Sequence, residues 1–324
     1  MTEETDGSKK YESIEDLPGV GPSTAKKLTE LGFHTVESLA MATIRELEQA
    51  GISEKRAQDI IQTARSSVSL SFIRADELLK MRQTVSRLTT GSRRLDELLG
   101  GGLETQTITE FYGEYGSGKS QVAHQLCVDV QLRTEKGGLE SGALYIDTEN
   151  TFRTERIVQM AAEMGLDPDE AVKNIIVAEA YTSDHQVFLL DNSDHIVKEN
   201  NIRLIIVDSL TAHFRSEYIG RENLAIRQQK INKHMHKLIR LARAFNAVAF
   251  VTNQVMSSPD VYFGDAIRPI GGHVVGHTSH TRVFLRKSSR GPVRIARLVS
   301  SPYLPEGETT FKITENGIED VEED

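Results

Sequence analysis

Gly113-Glu-Tyr-Gly-Ser-Gly118-Lys119-Ser120 is a complete G-x-x-x-x-G-K-[ST] loop, and the sequence on either side of it decides the fold. Upstream, Thr107-Ile-Thr-Glu-Phe-Tyr112 alternates β-branched and aromatic residues as a strand does. Downstream, Gln121-Val-Ala-His-Gln-Leu-Cys-Val128 spaces apolar residues as a helix does. Strand, glycine loop and helix in that order bind a nucleoside triphosphate. The backbone N–H groups of Gly113, Glu114, Tyr115, Gly116, Ser117 and Gly118 cradle phosphate oxygens, and the helix N-terminus adds partial positive charge. Lys119 reaches the terminal phosphates, Ser120 ligates Mg²⁺, and Gln121 follows them into the site.

From Leu88 onward, strand-like runs alternate with helical ones, at 106–112, 143–147, 174–178, 202–207 and 247–252. This argues an α/β domain with a mostly parallel sheet and ligands at the strand C-termini. Ile202-Arg-Leu-Ile-Ile-Val-Asp208 is an apolar strand delivering an acid to the mouth of such a site, where Asp208 would hold Mg²⁺ through water. Alone that pattern is common; paired with the glycine loop it is specific. Later runs at 281–287, 293–299 and 309–313, with turn residues between, suggest an antiparallel extension.

Toward the N-terminus, residues 1–11 form a polar tail and 12–68 a small helical domain. Within it Leu17-Pro-Gly-Val-Gly-Pro-Ser-Thr-Ala-Lys-Lys-Leu28 looks like the hairpin of a helix-hairpin-helix motif, with a degenerate echo at Ala50–Ala57. The N–H groups of Gly19, Val20 and Gly21 can hold a DNA phosphate without reading sequence, with Lys26 and Lys27 in support. Residues 1–80 carry ten basic side chains against fourteen acids, so a purely scaffolding role stays open. The remaining bounds are a linker at 69–87, a core at 88–318 and an acidic tail at 319–324.

The chain has 324 residues, room for one large and one small domain. A single cysteine, Cys127, excludes an intramolecular disulfide framework, and no N-terminal apolar run resembles a signal peptide or membrane span. The expectation is an intracellular, cytoplasmic protein, nucleoid-associated and without a membrane partner. A net charge of −9 hides two basic stretches. Residues 215–243 hold eight basic side chains against two acids, and 282–297 hold six against none. They read as local footprints for nucleic acid or as ordinary solvated faces.

Together these pieces resemble the RadA family of archaeal strand-exchange recombinases, relatives of RecA and of the eukaryotic recombinases. The resemblance spans roughly 11–318. It is carried by the N-terminal hairpin, Thr90–Glu104, the phosphate loop, Tyr145-Ile-Asp-Thr-Glu-Asn-Thr-Phe-Arg153, Val251-Thr-Asn-Gln-Val255 and Ile270-Gly-Gly-His-Val-Val-Gly-His277. It implies a RecA-like P-loop NTPase core with ATP and Mg²⁺ as cofactors. Glu149 would be the catalytic carboxylate orienting the attacking water, with a helix-capping Glu as the alternative; Gln254 would sense the γ-phosphate. His277 matches a histidine near that phosphate, or is a buried structural one. Arg156 matches a residue packing on the base, or is a plain surface arginine.

By the same resemblance two loops hold single- and double-stranded DNA. The first is Arg215–Arg221 with Arg227 on the following helix. The second is Met256–Ile270, long and without periodicity, where Tyr262 and Phe263 wedge against bases or pack on the loop, and Gly271 and Gly272 allow a hinge. Ser71-Phe72-Ile-Arg-Ala75 matches a polymerisation motif whose Phe72 and Ala75 bury into a neighbouring copy, giving head-to-tail filaments or rings; the alternative is packing within its own chain. Ser301–Glu306 resembles a cap laid over ATP by the neighbour, with Pro305 against the base and Glu306 toward the γ-phosphate. Ser300 stands where many relatives carry aspartate, which leaves a paired-carboxylate cation site with Glu306 alone. The implied function is ATP-dependent homologous pairing and strand exchange in double-strand break repair, aided by mediator proteins. A recombination mediator with weak ATPase is the rival, and a hexameric helicase a third reading.

Overall fold

The computed structural model describes residues 11, 13–31, 33, 35–67, 74–257 and 267–322. The chain divides into two compact units, 1–81 and 82–324. The first holds α1 (Pro22–Glu30), α2 (Val36–Ala40), α3 (Ile44–Gln49), α4 (Glu54–Ser67) and α5 (Ala75–Met81). Its core gathers Leu17, Val20, Leu28, Phe33, Leu39, Leu47 and Ile60. The hairpin forms where its sequence places it: Gly19 takes φ +86°, and Gly21 precedes α1 with Pro22 in the first turn. Arg56 of the echo clamps it, its Nη2 and Nε donating to Gly19 O at 2.8 and 3.1 Å.

The second unit runs β1 (Arg87–Leu88), α6 (Arg93–Leu98), β2 (Leu103–Glu104), β3 (Ile108–Gly113), α7 (Lys119–Asp129), β4 (Gly142–Asp147), α8 (Thr154–Glu163), α9 (Pro168–Lys173) and β5 (Ile175–Glu179). It continues with α10 (Ser183–Asp191), α11 (Asp194–Glu199), β6 (Ile202–Asp208), α12 (Ala212–Glu217), α13 (Leu224–Ala244), β7 (Val248–Asn253), β8 (Val255–Ser257) and β9 (Ile267–Pro269). Last come α14 (Gly272–Thr278), β10 (Thr281–Lys287), β11 (Val293–Ser300), β12 (Gly307–Ile313) and β13 (Ile318–Asp320).

A nine-stranded sheet has the order β13-β12-β11-β10-β3-β7-β6-β4-β5. From β10 to β5 every pairing is parallel; from β10 to β13 every pairing is antiparallel. The central parallel strands β4, β6 and β7 are buried along nearly their whole length because helices cover both faces, whereas β5 at the edge alternates. Alternation then sorts side chains between two cores: Tyr145, Leu204, Ile206 and Phe250 face α7, while Leu144, Ile205, Val207 and Val251 face α13. In the α7 core the Phe111 and Phe250 rings meet at 5.1 Å between centroids.

Three boundaries differ from the sequence reading. The expected linker is shared between the units, with α5 in the first and 82–87 in the second. Residues 319 and 320 of the expected tail belong to β13, pairing with Lys312 and Phe311 of β12, and Asp320 Oδ1 also accepts hydrogen bonds from Ser92 Oγ and Arg94 N at the start of α6. The second loop is framed by β8 and β9, Val255 pairing with Pro269 and Ser257 with Ile267.

Candidate active site

β3 ends at Gly113, where a Cβ would lie 2.1 Å from Leu285 O, so only glycine lets β3 and β10 approach at the root of the loop. Gly116 and Gly118 take φ +73° and +106°, turning the loop into the start of α7. Lys119 opens that helix and donates through Nζ to Gly113 O at 2.9 Å and Glu114 O at 3.0 Å. Burial lowers its pKa, with Asp208 and Glu149 pulling the other way. The loop, Ser120, Gln121, Glu149, Asp208 and Gln254 line one cavity of about 560 Å³.

Four neighbouring strand ends deliver its polar groups, at the carboxyl edge where an open parallel sheet places ligands. From β6, Asp208 accepts hydrogen bonds from Tyr145 Oη at 2.6 Å and from the Thr252 hydroxyl. Beyond β4, the Asp147 carboxylate folds the next segment back, accepting from Glu149 N at 3.1 Å and Phe152 N at 2.9 Å. Beyond β7, Gln254 Nε2 donates to Glu149 Oε1. Burial and then Asp208 push the Glu149 carboxyl above its ordinary range, while Gln254 and Lys119 draw it back.

The donor set suits a nucleoside triphosphate with a hard divalent cation. Left-handed glycines leave a cradle that side chains would fill: a Cβ on Gly118 would meet Ile313 Cδ1 at 2.6 Å. A lysine, a serine hydroxyl and a 2 % exposed aspartate converge on it. Arg294 of β11 also lines it, and its buried Nε has no hydrogen-bond partner among the described residues.

Other expected residues lie elsewhere. Arg156 is tied down, Nε donating to Gln121 Oε1 at 2.9 Å and Nη2 to Thr314 O at 2.6 Å, so its plane is fixed beside the cavity rather than free on the helix surface. His277 is exposed, not buried; it stacks on His273 at 5.7 Å and does not line the cavity of its own chain. Pro305 and Glu306 are exposed and outside it too, Glu306 accepting from Arg297 at 3.3 Å.

Arg215 on α12 and Arg221 before α13 are exposed, and Arg227 on α13 is half-buried with its Nε unpartnered among the described residues. Gly271 and Gly272 both take positive φ at the head of α14. Tyr262, Phe263 and Phe72 lie outside the described residues. Sequence reasoning passed over Tyr145, Thr252, His124 and Arg294. The first three are polar groups among buried apolar neighbours, the one local signal they give; Arg294 reaches the site only through sheet order.

Comparison with known proteins adds an independent line. A family model described as Rad51 matches residues 81–321, and one described as a SAM-like helix-hairpin-helix tandem matches 11–66. The DNA repair and recombination protein RadA of Aeropyrum pernix is 55% identical over 315 residues, covering 97% of this chain and 98% of that protein.

Proposed function

The chain belongs to the Rad51 family, and on that premise we propose that it is a DNA-dependent ATPase that assembles on single-stranded DNA and exchanges it with a homologous duplex. The hydrogen bond from Gln254 to Glu149 carries the reading. Gln254 stands between the cavity and β8, which opens the second DNA loop. One side chain thus touches the acid of the nucleotide site and adjoins the DNA-facing segment.

In this mechanism the N–H groups of 113–118 and Lys119 hold the phosphates of ATP, and Arg156 offers a fixed guanidinium plane to the base. Ser120 and Asp208 would hold Mg²⁺, whose charge offsets that of the phosphates. Glu149 accepts a proton from, and orients, the attacking water. An amide suits position 254 because it can donate to Glu149 or to a phosphate oxygen, and exchanging one for the other moves the backbone at the root of the loop. Arg215, Arg221 and Arg227 supply charge to DNA phosphates, with Gly19 and Gly21 of the hairpin as a second, sequence-tolerant contact.

His277, Pro305 and Glu306 are absent from the cavity of their own chain, which suits a role at the ATP of a neighbouring copy. The outer edge of β5, with Val177 exposed on it and Tyr181 exposed just beyond its end, is a fitting receptor for the Phe72–Ala75 segment of that neighbour. Among the described residues no helix is long and apolar enough to cross a membrane.

The test is ATP hydrolysis with and without single-stranded DNA, followed by strand exchange between a circular single strand and a homologous linear duplex. DNA-stimulated turnover with joint-molecule formation is expected. Slow, DNA-indifferent turnover without exchange would replace this reading with the mediator.

A further inference from the structure

His124 lies on α7 one turn beyond Ser120 and is 2 % exposed. Its Nδ1 lies 2.5 Å from Ser120 O, and its Nε2 lies 3.1 Å from Arg153 N. A carbonyl oxygen can only accept and a backbone N–H can only donate, so both contacts are met by one neutral tautomer, with the proton on Nδ1. The ring is held flat against Phe152, 5.2 Å away at 17°, and tilted against Tyr145 at 5.7 Å.

Glu149 sits in the segment between β4 and α8, which is secured at both ends. Thr148 is tied to the end of β6, its N donating to Asp208 O at 2.8 Å and its Oγ1 to Ser209 O at 2.9 Å. At the other end Phe152 N is held by Asp147, the Arg156 side chain on α8 reaches Gln121, and His124 bonds the backbone of Arg153 itself to the helix that carries Lys119 and Ser120. An apolar ring would fill the same space and stack as well, yet would leave the Arg153 N–H unpaired. We propose that His124 is a positioning residue: it sets the spacing between the phosphate-binding start of α7 and the Glu149 carboxylate by bonding the Arg153 backbone. This deepens the ATPase reading and rests on it. A carboxylate displaced by a fraction of an ångström still allows ATP to bind but orients water poorly, so the loss falls on kcat.

Two substitutions separate the bonds. In His124→Asn the short amide reaches the Ser120 carbonyl in its own helix and falls short of Arg153. In His124→Gln the longer side chain can present its oxygen to the Arg153 N–H. The full-length protein is assayed for ATP hydrolysis with single-stranded DNA, for binding of a fluorescent ATP analogue, and for hydrogen exchange in a peptide spanning Arg153. His124→Asn should lower kcat on the order of ten- to a hundredfold with KM and analogue affinity within about twofold of the parent. Exchange at Arg153 should speed up. His124→Gln should restore most of the turnover and the protection. Wild-type kcat in His124→Asn would overturn the proposal, as would equal losses of analogue affinity and folding in both variants, the mark of packing alone. If the parent protein fails to hydrolyse ATP, the ATPase reading falls, and unchanged Arg153 exchange in His124→Asn separately removes the tie.

Discussion

At the scale of single residues, Lys119 and Glu149 line the same cavity, and the proposed function gives them opposite tasks. Glu149→Gln keeps the shape but cannot take a proton, so kcat should fall ~10²–10⁴-fold with ATP binding retained; Lys119→Ala should lose ATP binding as well, measured by equilibrium titration. His234 tests a different point. It is 1 % exposed, and burial lowers its pKa to about 4. The unfolded chain takes up this proton near pH 6.5 and the folded chain only near pH 4, so stability falls as pH drops through that window. At about 1.4 kcal/mol per unit the loss approaches ~3 kcal/mol. Denaturant melts of the parent and of His234→Phe at a series of pH values should diverge in slope there and run parallel above pH 7. The shape of the glycine loop was legible because such a turn is local: eight consecutive positions state it. Arg294 was not, since its place depends on β11 lying two strands from β3.

At the scale of elements, the central parallel strands β4, β6 and β7 were legible because burial on both faces makes them largely apolar, and every parallel strand appears within two residues of its expected span. The β8–β9 ribbon was missed because its pairing joins Val255 to Pro269 across a long loop, a non-local contact with no periodicity. Sequence pattern also conceals why Glu110 sits in the middle of β3. It is fully buried, bonded by Arg282 Nε at 2.7 Å and Asn253 Nδ2 at 2.8 Å, so it stitches β3 to the strands on either side. Arg282→Met would strand that carboxylate in the sheet and should cost about 3–5 kcal/mol in denaturant unfolding. Adding Glu110→Leu should recover most of the loss, because a buried pair replaced as a unit leaves no unmatched charge.

For the whole molecule, a net charge of −9 and a DNA-binding reading are reconciled by placement. If Arg215 and Arg221 each neutralise one phosphate, replacing both by Ala should flatten the plot of log affinity against log salt by about 1.4 units on a single strand. Fluorescence anisotropy with a single-stranded oligonucleotide from low to moderate salt measures it. The two-unit division was legible from the change of pattern near Leu88, but the boundary itself falls at 81/82. Helical α5 joins the first unit and no Pro or Gly marks the junction, so composition offered nothing there.

The two edges of the large sheet are unlike. One ends in β13, three residues long; the other ends in β5, five residues long, with Val177 exposed on it and Tyr181 exposed just beyond its end. If the Phe72–Ala75 segment of one copy docks on β5 of the next, as proposed, the unit has one acceptor edge and one donor segment and is, in the vocabulary of polymer chemistry, an A–B monomer. It grows with fixed polarity, and a one-ended fragment stops it. A synthetic peptide spanning Ser71–Ala75 should therefore act as a chain stopper, shortening the assemblies seen by light scattering in proportion to its mole fraction, whereas the same peptide with Phe72→Ala should leave their length unchanged.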